Sequence, residues 1–200
     1  VFADPRSTTA KLVVAHHVQQ RHGANHGPEQ LGALDQGRAD QQAAVGAAGD
    51  REVVALDPVP EMLRLSPIQE RVVGVGEDLP FEDGSFDGVF SAYVFRNLDS
   101  VDDTVAEVAR ILRPGGRLVV VGLGRPRNRF LAALHRMGSA IALPVVGALI
   151  GAADEYRYLH RSLDKLPPPE EMFAGQPLRL DRVWRMGPLG FVYGVALTKE

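Results

Sequence analysis

Arg96 and Asn97 are adjacent polar residues whose types and placement suggest chemistry. They follow residues 88–93, a short, mostly apolar and aromatic-rich run that predicts a buried strand. Ligands of open α/β sheets bind beyond the carboxyl ends of the strands, so the loop that carries the pair is expected to face a binding site. A guanidinium stays protonated and is a poor general base, but it can stabilise negative charge on an oxygen. The alternative is a surface arginine beside a turn-forming asparagine.

Asp57 ends a second apolar run, residues 52–57, which also predicts a buried strand. A carboxylate at the end of the second strand of a doubly wound sheet can accept hydrogen bonds from both ribose hydroxyls of a nucleoside. The alternative role is structural, because the same side chain could cap the helix predicted over residues 59–63. The residues themselves leave both roles open.

A helix and a strand are predicted directly after Arg96 and Asn97. Ser100 is a favourable N-cap, and the apolar residues after it recur at steps of three and four, which predicts an amphipathic helix. Residues 114–116, Pro-Gly-Gly, are expected to stop that helix. The uncharged run 118–121 is typical of a strand covered on both faces. Together with the strand at 88–93, these elements predict a parallel βαβ unit.

The remaining elements extend the same sheet. Residues 71–75 predict a third strand. Residues 178–186 and 191–198 alternate in polarity and are joined by a segment that begins and ends with glycine, which predicts a hairpin. The predicted fold class is therefore α/β: a doubly wound, mostly parallel sheet with helices on both faces and a C-terminal antiparallel hairpin.

Three groups of residues carry a family resemblance when they are taken together. They are Leu79-Pro80-Phe81 with Asp83 and Ser85-Phe86-Asp87, the pair Arg96-Asn97, and Leu112-Arg113-Pro114-Gly115-Gly116-Arg117-Leu118. The combination resembles the class I S-adenosylmethionine-dependent methyltransferases, and most closely the ubiquinone/menaquinone biosynthesis C-methyltransferase family. The likeness extends over residues 53–158 and loosely over the last forty. The resemblance implies a Rossmann-like domain spanning residues 1–200, S-adenosylmethionine as cofactor, and C-methylation of a quinol-like or other lipophilic phenolic small molecule.

The resemblance also implies roles for particular residues. Arg96 and Asn97 correspond to the family's catalytic pair near the acceptor ring, and Tyr158 and His160 are expected to line the acceptor pocket. Core or surface packing is the alternative for these last two. The expected cofactor-binding residues are Asp35, Gly37, Asp57, Val75, Gly76, Ser91 and Ala92. Val75 has no side-chain acceptor, so any adenine contact there would be made by backbone, and Glu77 or Asp78 is the alternative partner.

Residues 1–50 match the family poorly, and this leaves other functions open. The glycine-rich turn expected after the first strand is reduced to Gly37, so Asp35 and Gly37 could equally form an ordinary turn. One hypothesis is that this region is translated in a shifted frame. One alternative function is a non-catalytic, methyltransferase-like binding protein that has lost the cofactor. Another is a nicotinamide-dependent Rossmann oxidoreductase, although no Tyr-x-x-x-Lys pair is evident.

Residues 125–165 are expected to form a helical region on the acceptor side. Residues 131–153 are strongly apolar, with Pro144 inside them. One interpretation is a pair of buried helices broken at Pro144. The other is a lid over a lipophilic acceptor that also makes peripheral contact with a membrane. The uninterrupted apolar part of this segment is shorter than the roughly 18 residues needed to span a bilayer.

Composition excludes several classes of function. The chain has 200 residues, a net charge of −3 and no cysteine, so thiolate chemistry, disulfides and a basic nucleic-acid surface are not indicated. Four of the six histidines lie between His16 and His26, but no carboxylate or cysteine completes a recognisable ligand spacing, and solvated histidines are favoured over a metal site. No signal-peptide pattern opens the chain, so a cytoplasmic protein is expected. Its first residue is Val1, which suggests a trimmed or incomplete start.

Overall fold

The computed structural model describes residues 11–16, 52–126, 128–150, 163, 166–187 and 190–200. Within these residues, seven strands form one sheet in the order β3-β2-β1-β4-β5-β7-β6. The strands are β1 Lys11–His16, β2 Glu52–Asp57, β3 Glu70–Val73, β4 Phe86–Ala92, β5 Leu112–Leu123, β6 Arg179–Met186 and β7 Val192–Thr198. The described helices are α1 Pro60–Leu65, α2 Val101–Ile111, α3 Arg129–Ile150 and α4 Pro169–Met172, with a 3-10 turn at Phe95–Asn97.

The strand pairing confirms the predicted fold class. β1 to β5 pair in parallel with their neighbours, whereas β7 runs antiparallel to both β5 and β6. The predicted parallel βαβ unit is therefore β4, α2 and β5, and the predicted hairpin is β6 and β7. The carboxyl ends of the parallel strands lie along one edge, which is called the carboxyl edge below.

Local sequence signals explain where α2 begins and ends. The Ser100 side chain accepts a hydrogen bond from the backbone N–H of Asp103 at 3.1 Å, which confirms the predicted N-cap. The helix ends at Ile111, before the Pro-Gly-Gly segment, and β5 begins at once with Leu112. Gly115 has a φ of 78°, a left-handed conformation that glycine adopts without steric cost.

The core has a part on each face of the sheet. Val54 and Leu56 of β2 belong to a large buried cluster that includes Val105 and Val108 of α2. Ala55, the residue between them, packs with Leu63 of α1 in a smaller cluster. Because successive side chains of a strand point to opposite faces, α1 and α2 cover different faces of the sheet, as a doubly wound fold requires.

Three sequence predictions need correction or completion. Residues 11–15, which the sequence left between a strand and half a helix, lie in β1 between β2 and β4. The third strand ends at Val73 rather than residue 75, because Val75 forms an isolated bridge with Asp78 in a tight turn. The predicted break at Pro144 is wrong, since α3 continues through it. Proline removes one backbone donor, and the rest of this long helix retains its turn-to-turn bonding.

Candidate active site

A cavity of about 210 Å³ opens at the carboxyl edge beside β2, β3 and β4. Its walls come from the ends of these strands, from the segment after β3, from the 3-10 turn and from α2. They are mostly apolar. The lining residues used below are Leu56, Pro58, Val75, Gly76, Glu77, Leu79, Ser91, Asn97 and Thr104. We call this space the first cavity.

Two polar side chains reach the first cavity from the β4 side. Ser91 is only 4% exposed, and its Oγ has no hydrogen-bond partner among the described residues. Asn97 lines the cavity from the 3-10 turn. Ala92, the other residue expected here, is buried and lies outside the lining. The structure therefore brings Ser91 and Asn97 together and leaves Ala92 as a packing residue of β4.

Val75 and Gly76 form the wall opposite, after β3. The Val75 side chain is 45% exposed and lines the cavity. A Cβ on Gly76 would lie 2.9 Å from Cγ2 and 3.1 Å from Oγ1 of Thr104. Gly76 is thus needed for a close approach of this segment to α2, a packing role that the sequence prediction did not include.

Asp57 lies behind the first cavity rather than in its lining. Its side chain is 3% exposed, and Oδ1 accepts a hydrogen bond from the backbone N–H of Val59 at 2.8 Å. The neighbours Leu56 and Pro58 line the cavity on either side of it in sequence. The carboxylate therefore helps to turn the chain into α1. This role is close to the helix cap that the sequence offered as the alternative to ribose binding. Its ribose role stays a prediction.

Glu77 has a role that sequence reasoning missed. The sequence suggested either an adenine contact or a solvated loop acid. In the structure, Oε1 accepts hydrogen bonds from the backbone N–H groups of Asp99 and Ser100, at 2.9 and 3.3 Å. Glu77 therefore ties the segment after β3 to the start of α2, where a negative charge is favoured by the helix dipole.

Arg110 and Glu107 hold the next part of the same wall. Glu107 accepts a hydrogen bond from the N–H of Leu79 at 2.9 Å, while Arg110 donates to the carbonyls of Leu79 and Phe81 at 2.8 and 2.7 Å. Arg110 also pairs with Glu107 and with Asp83, both at 2.7 Å. The hydrogen bond from Arg110 lowers the pKa of Glu107, and the same carboxylate raises the pKa of Arg110.

The remaining residues of the family motif act as a scaffold beside this network. Arg113 pairs with Asp87 at 3.0 Å, and the rings of Phe81 and Phe86 meet edge to face with their centroids 4.8 Å apart. Ser85 donates its hydroxyl to the carbonyl of Glu82. These contacts explain why the motif needs these residue types. They fix the loop after Leu79, which itself lines the cavity.

Arg96 and Asn97 are aimed by an unusual backbone conformation just upstream. Tyr93 has a φ of 61°, and its N–H donates to the carbonyl of Val121 at 2.7 Å. A left-handed bulky residue is strained, and such strain concentrates at functional sites. Asn97 is turned towards the first cavity, whereas Arg96 lies outside that lining and acts electrostatically on Tyr193 of β7.

A second cavity, of about 260 Å³, lies further along the same edge, beyond β5 and β7. It is lined by residues after β5, by one side of α3, by the proline run before α4 and by Tyr193. These residues are Leu123, Gly124, Arg125, Pro126, Ala132, Arg136, Leu163, Leu166, Pro167, Pro168, Pro169 and Tyr193. Sequence reasoning did not identify Tyr193, because one tyrosine in an alternating strand is indistinguishable from a core residue.

Side chains near the start of α3 connect it to the rest of this second cavity. Arg125 donates to Oγ of Ser139 at 2.9 Å and lies 3.1 Å from Nδ1 of His135. The His135 ring stacks on Phe191 with centroids 5.9 Å apart. Among the described residues, these polar and ring contacts join the first turns of the helix to Arg125 and Phe191.

The apolar side chains of α3 contradict the prediction of buried helices. Phe130, Leu134, Met137, Ile141 and Val145 are between 46% and 76% exposed. Their spacing of three or four residues places them on one face of the helix. No helix in the described part of the chain is long and apolar enough to cross a bilayer. We call these five residues the apolar stripe.

Four predicted site residues fall outside the described part of the chain. They are Asp35 and Gly37, expected at the cofactor, and Tyr158 and His160, expected at the acceptor. Of the metal candidates, only His16 lies in a described element, at the end of β1. The roles of these residues stay predictions.

Solved structures with a similar fold include S-adenosylmethionine-dependent methyltransferases. One, from Aquifex aeolicus, aligns with 94% of this chain and 81% of its own, with a TM-score of 0.50 and 16% identity. Another, from Methanosarcina mazei, aligns with 96% of this chain and 92% of its own, with a TM-score of 0.52 and 18% identity. At these identities the likeness establishes the fold alone.

Sequence relatives are more specific. The chain is 39% identical over 104 residues to the ubiquinone/menaquinone biosynthesis C-methyltransferase UbiE of Hahella chejuensis, covering 52% of this chain and 42% of that protein. It is 36% identical over 132 residues to a demethylmenaquinone methyltransferase of Thermus thermophilus, covering 62% and 60%. It is 32% identical over 145 residues to the mitochondrial 2-methoxy-6-polyprenyl-1,4-benzoquinol methylase of Gallus gallus, covering 67% and 47%. The chain spans about half the length of these curated relatives.

A family model also matches the greater part of the chain. The match runs over residues 42–175. It therefore includes β2 to β5, all the residues that line the first cavity, and the whole of α3. With the strand order and the motif scaffold described above, this match establishes membership. The chain belongs to the ubiE/COQ5 methyltransferase family.

Proposed function

We propose that this chain transfers a methyl group from S-adenosylmethionine to a ring carbon of a quinol-like, lipophilic phenol. The single observation that carries the proposal is the first cavity, which lies at the carboxyl edge of a sheet with this family's fold. This edge is where open α/β sheets bind their ligands. The names of the relatives support a quinol as the acceptor.

The described residues fit the nucleoside half of the cofactor. The walls of the first cavity are mostly apolar and suit an adenine ring, while the buried Ser91 Oγ is a polar atom that a ligand could satisfy. Val75 and Gly76 would contact the base, and Asp57, whose sequence neighbours Leu56 and Pro58 line the cavity, would bind the ribose. When bound, S-adenosylmethionine supplies a methyl group made electrophilic by its positive sulfur. Residues outside the described part would hold the methionine end.

On the acceptor side, the proposal gives Arg96 and Asn97 separate tasks. A phenol's ring carbon becomes a better nucleophile when its hydroxyl loses a proton. The Arg96 guanidinium would stabilise the negative charge that develops on this oxygen, or hold the water that takes the proton. The Asn97 amide, which lines the first cavity, would orient the oxygen. The cavity walls exclude water and align the reacting groups.

Calorimetry and a methylation assay test this function together. Purified chain is titrated with S-adenosylmethionine and, separately, with nicotinamide dinucleotides, and is then assayed with naphthoquinol and benzoquinol acceptors. We expect S-adenosylmethionine to bind and one of the quinols to be methylated on carbon. Binding of nicotinamide dinucleotides alone would favour an oxidoreductase. The absence of binding by either would favour a protein that has lost the cofactor.

We also propose that the apolar stripe of α3 rests on a lipid bilayer that the protein reaches from the cytoplasm. The stripe is exposed along one side of the helix, and another side of α3 lines the second cavity through Ala132 and Arg136. The helix contains two arginines and no acidic residue, and this positive charge suits anionic headgroups. A lipophilic acceptor would then enter the second cavity without crossing water.

Co-sedimentation with vesicles tests this contact. Wild-type chain is compared with a Leu134→Ser, Met137→Ser, Ile141→Ser variant on phosphatidylglycerol and on phosphatidylcholine vesicles. We expect binding that is stronger on the anionic vesicles and is lost in the variant, with unchanged S-adenosylmethionine affinity. Equal sedimentation of the two proteins would contradict a role for the stripe, and concentration-dependent dimerisation lost in the variant would assign it to a second copy instead.

A further inference from the structure

Tyr193 stands out among the residues of the second cavity because it lines the cavity from an inner strand of the sheet. The residue is 3% exposed, and β7 is paired on both sides, with β5 and with β6. Its ring lies so close to Gly122 that a Cβ there would overlap both Cζ and the hydroxyl oxygen. Gly122 is thus required for this placement of the tyrosine.

Two guanidinium groups act on this phenol from different elements. Arg185 of β6 and Arg96 of the 3-10 turn both favour the ionised form, and burial opposes them more strongly, so the pKa of Tyr193 rises to about 12. Arg185 is itself paired with Glu170 of α4 at 3.0 Å. Arg125 and Arg136 also line the cavity in the described part of the chain. Tyr193 therefore keeps its proton throughout the physiological range and is a hydrogen-bond donor there.

A hydrogen-bond donor at Tyr193 suits the ring oxygen of a quinol-like acceptor. The rest of the described lining consists of apolar residues, prolines and two arginines, so Tyr193 supplies its neutral hydroxyl donor for the oxygen of a phenolic ring. Hydrogen bonding to the ionised form of a phenol favours that form and lowers its pKa. Arg96, whose charge acts to lower the pKa of Tyr193, would act on the same oxygen of the acceptor.

We propose that Tyr193 binds the acceptor in the second cavity by donating its hydroxyl hydrogen to the acceptor's ring oxygen. The inference rests on the proposed methyl transfer, and it names the place where the phenolic acceptor sits. It assigns a substrate-binding role to a strand residue and makes Gly122 the residue that creates space for it. It also divides the carboxyl edge into a nucleoside side at β2 to β4 and a phenol side at β5 and β7.

Tyr193→Phe removes the hydroxyl and keeps the ring that packs on Gly122. We expect the KM for the quinol to rise about tenfold, the low-pH limb of kcat/KM to move to higher pH, and the affinity for S-adenosylmethionine to stay unchanged. Thr198→Val is the matched control, because it removes a hydroxyl from the opposite end of the same strand. A Tyr193→Phe enzyme with wild-type KM and pH profile would overturn the proposal, as would an equal loss of cofactor affinity.

A binding experiment that needs no turnover separates this inference from the proposed function. The chain is titrated with 4-nitrophenol, whose ionised form absorbs visible light. We expect wild-type protein to lower the pKa of the bound phenol, and Tyr193→Phe and Gly122→Ala each to abolish most of that shift. The added methyl in Gly122→Ala displaces the tyrosine ring while leaving its hydroxyl present. No shift in the wild-type protein, or a shift retained by both variants, would overturn the proposal even if the chain proves to be an active methyltransferase.

Discussion

The two cavities of the carboxyl edge are built in different ways. The wall of the first is fixed by hydrogen bonds that end on backbone groups: Glu77 binds two N–H groups at the start of α2, and Arg110 with Glu107 binds the backbone of Leu79 and Phe81. The second is lined on one side by α3, whose described contacts with Arg125 and Phe191 are made by the side chains of His135 and Ser139. In the described part of the chain, the first wall is therefore held by bonds to backbone groups, and the second is joined to α3 by contacts between side chains.

This difference matches what each side is proposed to bind. A cofactor is the same molecule in every turnover, so a preformed pocket avoids the cost of ordering loops on binding. A phenol with a long lipophilic substituent is larger and must enter and leave, which favours a wall that can move. The following variants are designed to separate the two sides.

Arg96→Ala should have the largest effect and should be confined to the acceptor side. Loss of a group that stabilises developing charge lowers turnover by about 100-fold or more. Cofactor affinity by calorimetry should change by less than about twofold, because Arg96 does not line the first cavity. Arg117→Ala is the control, because Arg117 is exposed and lies on β5 away from the carboxyl edge. Equal losses in turnover and cofactor affinity would remove Arg96 from catalysis.

Gly76→Ala should damage the first cavity alone. The new methyl meets Thr104 at 2.9 Å, and overpacking of this kind costs about 1–3 kcal/mol. Affinity for S-adenosylmethionine should therefore fall about tenfold, and Thr104→Ala in the same chain should restore most of it. Gly138→Ala is the neutral control, since a methyl there meets no atom within 4 Å. Failure of the double variant to recover would show that the wall is not set by this contact.

Ser91→Ala should change stability and cofactor affinity in opposite directions. The buried Oγ has no hydrogen-bond partner among the described residues, so its removal should leave the unliganded protein as stable or more stable, by up to about 1 kcal/mol. If the nucleoside satisfies this oxygen, S-adenosylmethionine should bind about fivefold more weakly to the variant. Thermal unfolding with and without cofactor measures both, and parallel changes would exclude Ser91 as a ligand contact.

Glu107→Gln should have the smallest effect and a defined pH dependence. The pKa of Glu107 is lowered in the folded state from its ordinary value of 4.5, chiefly by the hydrogen bond with Arg110. The resulting stability is present above that value and is lost as the pH falls through the lower folded-state pKa. We expect the variant to be about 1 kcal/mol less stable at pH 7, with the difference vanishing in acid. Denaturant unfolding at several pH values checks this, with exposed Glu200→Gln as the control; a pH-independent difference would contradict it.

The sequence predicted the sheet well because the relevant signals are local. Strand runs, the Ser100 cap and the hairpin glycines each act within a few residues, and the structure confirms the elements they predict. The break at Pro144 was wrong because a proline can be accommodated within a long helix. The fit of Tyr193 over Gly122 was beyond sequence reasoning, since it depends on the register of β5 with β7.

The candidate site was only partly predictable. Ser91, Asn97, Val75 and Gly76 do meet at one cavity, as strand ends in a parallel sheet must. The structural roles of Gly76 and Glu77 could not be predicted, because each depends on a contact with α2 or its first residues, more than twenty positions away in sequence. The family match begins at residue 42, so the predicted glycine turn at Asp35 and Gly37 lies outside it. An intact glycine-rich turn in a neighbouring reading frame of the nucleotide sequence would explain that boundary.

The left-handed backbone of Tyr93 has a consequence for protein engineering. A bulky residue at a φ of 61° costs roughly 1 kcal/mol that glycine would avoid. Tyr93→Gly should therefore relieve this strain and yet lower turnover, because a freer hinge would no longer hold Arg96 at one angle. A substitution chosen only to remove the strained conformation would loosen the segment that positions Arg96.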